Sequence, residues 1–288
     1  MSEQIRAVLR GHLPRLAITS ITTLGAGQEN VAYEVNGDLI VRLRKEADPD
    51  ERAVLVSREV ALLAAVAPIS TLPVPEIAFA DAEAGILAYR KLPGVPILGQ
   101  VGQAVMEPER FAPALGAFVS GLHAAPVATM SQLVPHDDDA LLAWRDDAAE
   151  DFRAIVAILP AGARRRIERF LEDAPPEEEH TAVFSHNDLG AEHILVDAAA
   201  GTITGIIDWS DAAIADPMYD IGRLHRDFGP AFIDELLRHY TGRCTAADRA
   251  RMVFYARCTL IEDIAFGLRA GARLYTDTAL ANLDRVFA

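Results

Sequence analysis

The order in which hydrophobic patterns follow one another is the strongest constraint on this chain. Residues 18–91 read as strand, strand, strand, helix, strand, strand, and the remainder reads as helices interrupted by two short strands. Ile18 to Leu24 is rich in β-branched residues and stops at Gly25. Val31 to Val35 alternates, Asn36-Gly37 is a strong hairpin turn, and Leu39 to Arg44 is the return strand. Asp48-Pro49-Asp50 opens a helix expected to reach about Ala67. Pro73 and Pro75 separate it from strands over Glu76–Ala80 and Ile86–Lys91. After the Pro93-Gly94-Val95-Pro96 break, Phe111, Leu115, Phe118 and Leu122 recur at helical spacing. Further helices are expected near 140–158, 163–173, 218–240, 246–270 and 276–287. The pattern predicts an α+β chain in two lobes, β-rich over 1–93 and mostly helical over 94–288.

Composition narrows the function classes. With 51% hydrophobic and 24% charged residues over 288 positions, the chain is neither disordered nor fibrous. Two cysteines, Cys244 and Cys258, exclude a disulfide scaffold and a four-cysteine zinc ribbon. The start carries no basic and apolar leader, and no apolar run approaches the ~18 residues of a membrane span. A cytoplasmic protein is expected, and nothing demands more than a monomer. The formal charge of −15 repels nucleic acid and anionic membranes and suits cationic small molecules. Residues 1–95 hold 10 basic and 12 acidic residues, so nearly all of the excess falls in the helical part.

The two strands inside that helical part, Ile194–Val196 and Ile203–Ile207, are flanked by carboxylates. Ser185-His186-Asn187-Asp188 through His193 is a polar loop leading into the first strand. Asp208 ends the second, in Ile207-Asp208-Trp209-Ser210-Asp211. Asp188, His193 and Asp208 thus converge at one end of a β pair. Phosphoryl transfer needs such a set: a carboxylate to orient the attacking hydroxyl and accept its proton, and further ligands to hold Mg²⁺ on phosphates.

His186-x-Asp188-x4-His193, Ile207-Asp208-Trp209-Ser210-Asp211 and Asp216-Pro217-x2-Asp220 resemble the aminoglycoside phosphotransferase family of kinase-like enzymes. The family pattern is His-Gly-Asp-Leu-His-x-x-Asn, then Ile-Asp-Trp/Phe-Gly-Asp, then Gly-Asp-Pro. The resemblance implies a protein-kinase-like bilobal fold with a hinge at about 89–94. It implies transfer of the γ-phosphoryl of ATP or GTP, with Mg²⁺, to a hydroxyl of a small molecule. Asp188 would be the catalytic carboxylate, and Asp208 would hold the metal. His193 stands where most members have Asn. Neutral imidazole also ligates metals, and histidine here is similar to the 2″-aminoglycoside and macrolide subgroups. His186 is expected to brace the loop, and Asp211, Asp216 and Asp220 to serve as scaffold carboxylates.

In the first lobe, Gly25 and Gly27 lie between two strands, where backbone amides can approach phosphates. Ile40 and Arg42 share one strand face, as an apolar residue over adenine and a cation on phosphate do in kinase strands. The chain has only two lysines, Lys45 and Lys91, and Lys45 is out of phase, so Arg42 is assigned the phosphate-binding role with Glu59 as its ion-pair partner. Tyr89, Arg90 and Leu92 match the family's hinge. The acidic second lobe is expected to hold a cationic acceptor, most simply an aminoglycoside, with Glu262 and Asp263 as its residues. Asp137-Asp138-Asp139, Asp146, Asp147, Glu150 and Asp151 are further acidic candidates. Macrolides, which would need Phe228, Phe232, Phe254, Tyr255 or Phe266, nucleoside antibiotics and metabolite hydroxyls compete as acceptors. A kinase-like pseudokinase that only binds its ligand is the non-enzymatic alternative.

Overall fold

The computed structural model describes residues 2–27, 29–100 and 107–288. Strands β1 (Ile21–Ala26), β2 (Asn30–Val35), β3 (Leu39–Arg44), β4 (Ile77–Asp81) and β5 (Ile86–Arg90) form one antiparallel sheet in the order β1-β2-β3-β5-β4. Asn36 and Gly37 turn β2 into β3 with φ of 55° and 84°, the geometry that Asn-Gly favours. The Asn36 amide locks that turn: its Oδ1 accepts from Thr19 N–H at 2.8 Å and its Nδ2 donates to the Ala17 carbonyl at 2.8 Å.

Period-two alternation divides β3. Leu39 and Val41 point into a small core with Tyr33, Val35, Ile86 and Ala88. That core is closed by helix α1 (Ser2–His12), whose Ile5 and Leu9 are buried in it. The strand–helix order read from the sequence lacked this helix. Its short apolar stripe acquires meaning only from the sheet face it covers. Ile40 and Arg42 occupy the opposite face, toward α2 (Pro49–Val66). Helix α2 starts where its signals place it: Pro49 is at its first turn, and the Asp48 carboxylate accepts from the Asp50 and Glu51 N–H groups.

The remaining elements are α3 (Pro108–His123), α4 (Val127–Met130), α5 (Leu141–Ile155), α6 (Ala161–Glu172), α7 (Pro217–Phe228), α8 (Pro230–His239), α9 (Ala246–Ala270) and α10 (Arg273–Val286). Phe111, Leu115, Phe118 and Leu122 of α3 are all buried, as their spacing requires. The stretch expected as one helix over 218–240 is two. Gly229 adopts φ 82°, a conformation that favours glycine, and Pro230 cannot donate back into α7, so the chain turns there. Strands β8 (Ile194–Asp197) and β9 (Thr202–Ile206) pair as expected, and β6 (Val95–Pro96) joins β8. The short pair β7 (Val183–Ser185) and β10 (Ala213–Ala215) was not foreseen, because three-residue strands carry almost no periodic signal. Among the described residues no helix is long and apolar enough to cross a membrane.

Helices α7 and α9 pack so closely that a Cβ on Gly222 would stand 2.9 Å from the Met252 carbonyl oxygen. A buried ion cluster fixes their ends. Arg251 of α9 donates to Asp216, the N-cap of α7, at 2.6 Å and to Asp248 at 2.7 Å. Asp248 also closes a capping box with Thr245. Removing a buried cation leaves its carboxylates uncompensated, at a cost of about 3–5 kcal/mol. Arg251→Met is therefore expected to lower stability by that order, measured by urea denaturation with α-helical ellipticity as the signal.

Burial raises the Asp248 pKa, but the Thr245 N–H and hydroxyl and the Arg251 guanidinium outweigh it and hold the group down at about 2. A depressed carboxylate stabilises the fold above its unfolded value near 3.8, and that contribution is lost as pH falls toward 2. The stability difference between wild type and Asp248→Asn should therefore shrink between pH 5 and pH 2, as measured by denaturation midpoints across that range.

Candidate active site

The loop that follows β7 is held by one carboxylate. Asp220, fully buried on α7, accepts the His186 N–H at 3.0 Å and the Asn187 N–H at 2.9 Å. His123 of α3 approaches its Oδ2 to 3.4 Å. His186 is buried, packs its ring on Trp209 at a centroid distance of 4.6 Å and donates Nε2–H to the Ile207 carbonyl at 3.1 Å. Burial lowers its pKa, consistent with a neutral ring that braces the loop.

The antiparallel register then sets the chemistry. Ile194 pairs with Ile206, so His193, just before β8, and Asp208, just beyond β9, emerge at the same end of the pair. His193 donates Nδ1–H to the Asp188 carbonyl at 2.8 Å. That orients the ring so that Nε2 faces Asp208, whose Oδ2 is 3.8 Å away. Burial lowers the His193 pKa, but Asp188, Glu192 and Asp208 outweigh it and raise it.

Asp188 is ion-paired with the buried Arg223 of α7, and its Oδ2 is 3.2 Å from His193 Nδ1. Burial alone would raise its pKa, yet Arg223 and His193 bring it below the usual carboxylate range. Asp188 is thus held ionised, as a group that accepts a proton must be. The sequence reading missed Arg223. It also missed Glu192, which accepts from Arg223 at 3.2 Å and from Arg226 at 3.5 Å. Asp188, Glu192 and His193 offer three donor atoms within 4.8 Å of one another, a grouping from which Asp208 is absent.

Arg42 joins the sheet to this loop. It pairs with Glu59 of α2 at 2.5 Å, donates to Ser210 Oγ at 2.8 Å and reaches Asp208 Oδ1 at 3.4 Å. Burial lowers the Arg42 pKa, but Glu59 and Asp208 outweigh it, so the guanidinium stays charged. Arg44, two residues on and on the same strand face, also binds Glu59, at 3.3 Å, and binds Glu29 at 2.8 Å. The i, i+2 spacing from Arg42 was the signal for it.

The other candidates from the sheet lie on the β1–β2 hairpin, on β3, and on β5 and the segment after it. Gly25 and Gly27 stand at the exposed end of the β1–β2 hairpin, and the Gly27 carbonyl accepts from Lys45 Nζ at 2.6 Å. Ile40 pairs with Tyr89 across β3 and β5, and burial pushes the Tyr89 hydroxyl up to about 12. Arg90 N–H and Lys91 N–H donate to the Glu76 and Asp38 carbonyls, whereas Leu92 N–H has no protein acceptor among the described residues. The Leu92 side chain fills the space that a Cβ on Gly205 would take. On α9, Glu262 is exposed, and Asp263 pairs with Arg226 at 2.9 Å while burial pushes its carboxyl up to about 7.

The donor set suits a divalent cation. Two ligands of one Mg²⁺, each about 2.1 Å from it, stand within about 4.2 Å of each other, and the His193–Asp208 separation satisfies that limit.

Comparison with known proteins agrees with this geometry. The model of the phosphotransferase enzyme family matches residues 20–255. The chain belongs to that family. Viomycin phosphotransferase of Streptomyces vinaceus is 25% identical over 157 residues, a match spanning 52% of this chain and about half, 53%, of that relative's length. The GDP complex of aminoglycoside 2'-phosphotransferase-IIIa superposes with a TM-score of 0.74 at 25% identity, covering 99% of this chain and 98% of that one. Macrolide 2'-phosphotransferase from Brachybacterium faecium superposes with a TM-score of 0.65 at 25% identity and 98% coverage of each chain.

Arg223→Gln should leave the buried Asp188 carboxylate without its cation. Its titration, followed by carboxyl-carbon NMR, is expected to move to higher pH, and no movement would remove Arg223 from this account.

Proposed function

We propose that this protein transfers the γ-phosphoryl group of ATP or GTP to a hydroxyl of a small-molecule antibiotic, with an aminoglycoside as the favoured acceptor. The observation that carries the reading is the convergence of an ionised Asp188 with Asp208, His193 and Arg42 where the sheet meets the helical part. In this reading the nucleotide lobe is residues 1–93, and residues 94–288 hold the catalytic and acceptor groups. The sheet ending at Arg90 and the pairing of β6 with β8 support a boundary there.

Adenine or guanine would lie over Ile40, with its edge against the backbone of Tyr89, Arg90 and Leu92. The free Leu92 N–H supports this placement. Gly25 and Gly27 would cover the phosphates. Arg42, held by Glu59, would place its charge on them, a guanidinium in the role that the sequence denies to a lysine. Asp208 and His193 would hold Mg²⁺, which neutralises phosphate charge when bound. Asp188 would orient the acceptor hydroxyl and accept its proton as the oxygen attacks the γ-phosphorus in line, while the bond to the bridging β-phosphate oxygen breaks and the nucleoside diphosphate leaves. Most of the acceleration would come from positioning and electrostatics.

A relative is known in complex with GDP and kanamycin, which supports a guanine nucleotide and a polyamine acceptor here. Glu262 and Asp263, on the helix beside Arg223 and Arg226, would meet that acceptor. The macrolide alternative is weaker, because Phe232 and Phe254 are packed in the core.

Asp188→Ala should reduce turnover by about 10²–10⁴-fold in a coupled assay with Mg²⁺, ATP or GTP, and kanamycin. Nucleotide binding, measured by calorimetry, should persist. Turnover near the wild-type rate in that variant would reject the mechanism, and silence with both aminoglycosides and macrolides would reject the acceptor class.

A further inference from the structure

One hydroxyl stands between the cation of the sheet and the carboxylate it faces. Arg42 anchors Nη1 on Glu59 at 2.5 Å and directs Nη2 toward the Asp208–Ser210 segment. There Nη2 donates to Ser210 Oγ at 2.8 Å, whereas Asp208 Oδ1 is 3.4 Å from the same nitrogen. A direct arginine–carboxylate hydrogen bond is about 2.7–2.9 Å long. The guanidinium is therefore closed on the hydroxyl and held off the carboxylate.

Ser210 also serves the other side. Its O–H donates to Asp208 Oδ1 at 3.0 Å. A serine hydroxyl has one hydrogen to give and lone pairs that accept, so it can face a cation and a carboxylate together. Asp208 has a backbone φ of 61°, and this left-handed turn sets residue 210 beside the residue 208 side chain. The two oxygens of Asp208 then differ. Oδ1 receives Ser210, and Oδ2 faces His193 Nε2 at 3.8 Å. The family pattern has glycine at position 210, which offers no hydroxyl.

Without the hydroxyl, nothing among these contacts would hold the two opposite charges apart. Partly buried charges at this separation attract strongly. A carboxylate covered by a guanidinium is a poor ligand for a metal ion, and a guanidinium covered by a carboxylate is a poor partner for phosphate.

We infer that Ser210 is a positioning residue: its hydroxyl keeps Arg42 and Asp208 from pairing directly, and so presents the guanidinium to phosphate and Asp208 Oδ2 to a divalent cation. The inference rests on the phosphotransferase reading above, which gives Arg42 and Asp208 those partners.

The test is GDP binding by calorimetry, with and without Mn²⁺, which involves no phosphoryl transfer. In the wild type, Mn²⁺ should tighten GDP binding at least tenfold. In Ser210→Ala that gain should fall at least fivefold, and GDP binding without metal should weaken too. Ser210→Thr keeps the hydroxyl, and its gain should stay within twofold of the wild type. Arg42→Met added to Ser210→Ala removes the guanidinium that would cover Asp208, so the Mn²⁺ gain should rise again. An unchanged gain in Ser210→Ala, a loss in Ser210→Thr as large as in Ser210→Ala, or a gain that stays low in the double variant would overturn the inference and leave the phosphotransferase reading standing. Absence of any Mn²⁺ gain in the wild type would overturn both. Ser210→Gly takes the place of Ser210→Ala if the latter does not fold by circular dichroism.

Discussion

The buried Asp220 carboxylate is the constraint on which the site depends. It accepts two successive backbone N–H groups from the His186–Asn187 segment, and His123 approaches it from α3. A carboxylate without those donors would be too costly to bury, and a loop without that acceptor would have two orphaned amides. The pairing holds Asn187 in its left-handed conformation and so sets the direction in which Asp188 leaves the loop. His186 adds a second tether through the Ile207 carbonyl, which connects the loop to the strand that delivers Asp208. Asp188 and Asp208 are thereby positioned by one connected set of hydrogen bonds.

Behind that set runs a chain of alternating buried charges. Asp188 meets Arg223, Arg223 meets Glu192, Glu192 meets Arg226, and Arg226 meets Asp227 and Asp263. Each cation lies between carboxylates, so none is uncompensated, and the geometry is over-determined. Such a network is weak evidence for net stability. Its consequence is local: the Arg223 guanidinium at its end lies against Asp188 and favours the ionised carboxylate.

The sheet side of the site is built on a strand of different logic. Arg42 and Arg44 share the α2-facing side of β3 and both engage Glu59. Arg42 then extends to Ser210 and Asp208, so a single guanidinium links the sheet to the helical part. A planar fork can serve both ends at once, and a lysine, with its point charge, would not do so with the same geometry.

The sequence by itself determined the local features. The Asn36-Gly37 turn, the Asp48-Pro49 start of α2, the α3 stripe and the β8–β9 pair rest on neighbours within a few residues. Asp188, His193 and Asp208 were legible as a group because the paired strands that bring them together are adjacent in the chain. The Arg42–Glu59 pair was legible from strand phase and the following helix. Tertiary structure alone decided the rest. Arg223 and Arg226 read as ordinary charges on α7 until the fold buries them against Glu192 and Asp188, more than thirty residues earlier. Helix α1 is a weak stripe until the sheet offers it a face, and β7 and β10 are too short to signal at all. Asn187 read as a loop residue until packing brought Asp137, fifty residues earlier, to 2.9 Å from its amide. The physical reason is common to all of these. Periodicity and turn chemistry are written in consecutive residues, whereas burial, and with it the meaning of a charge, exists only once distant segments have packed.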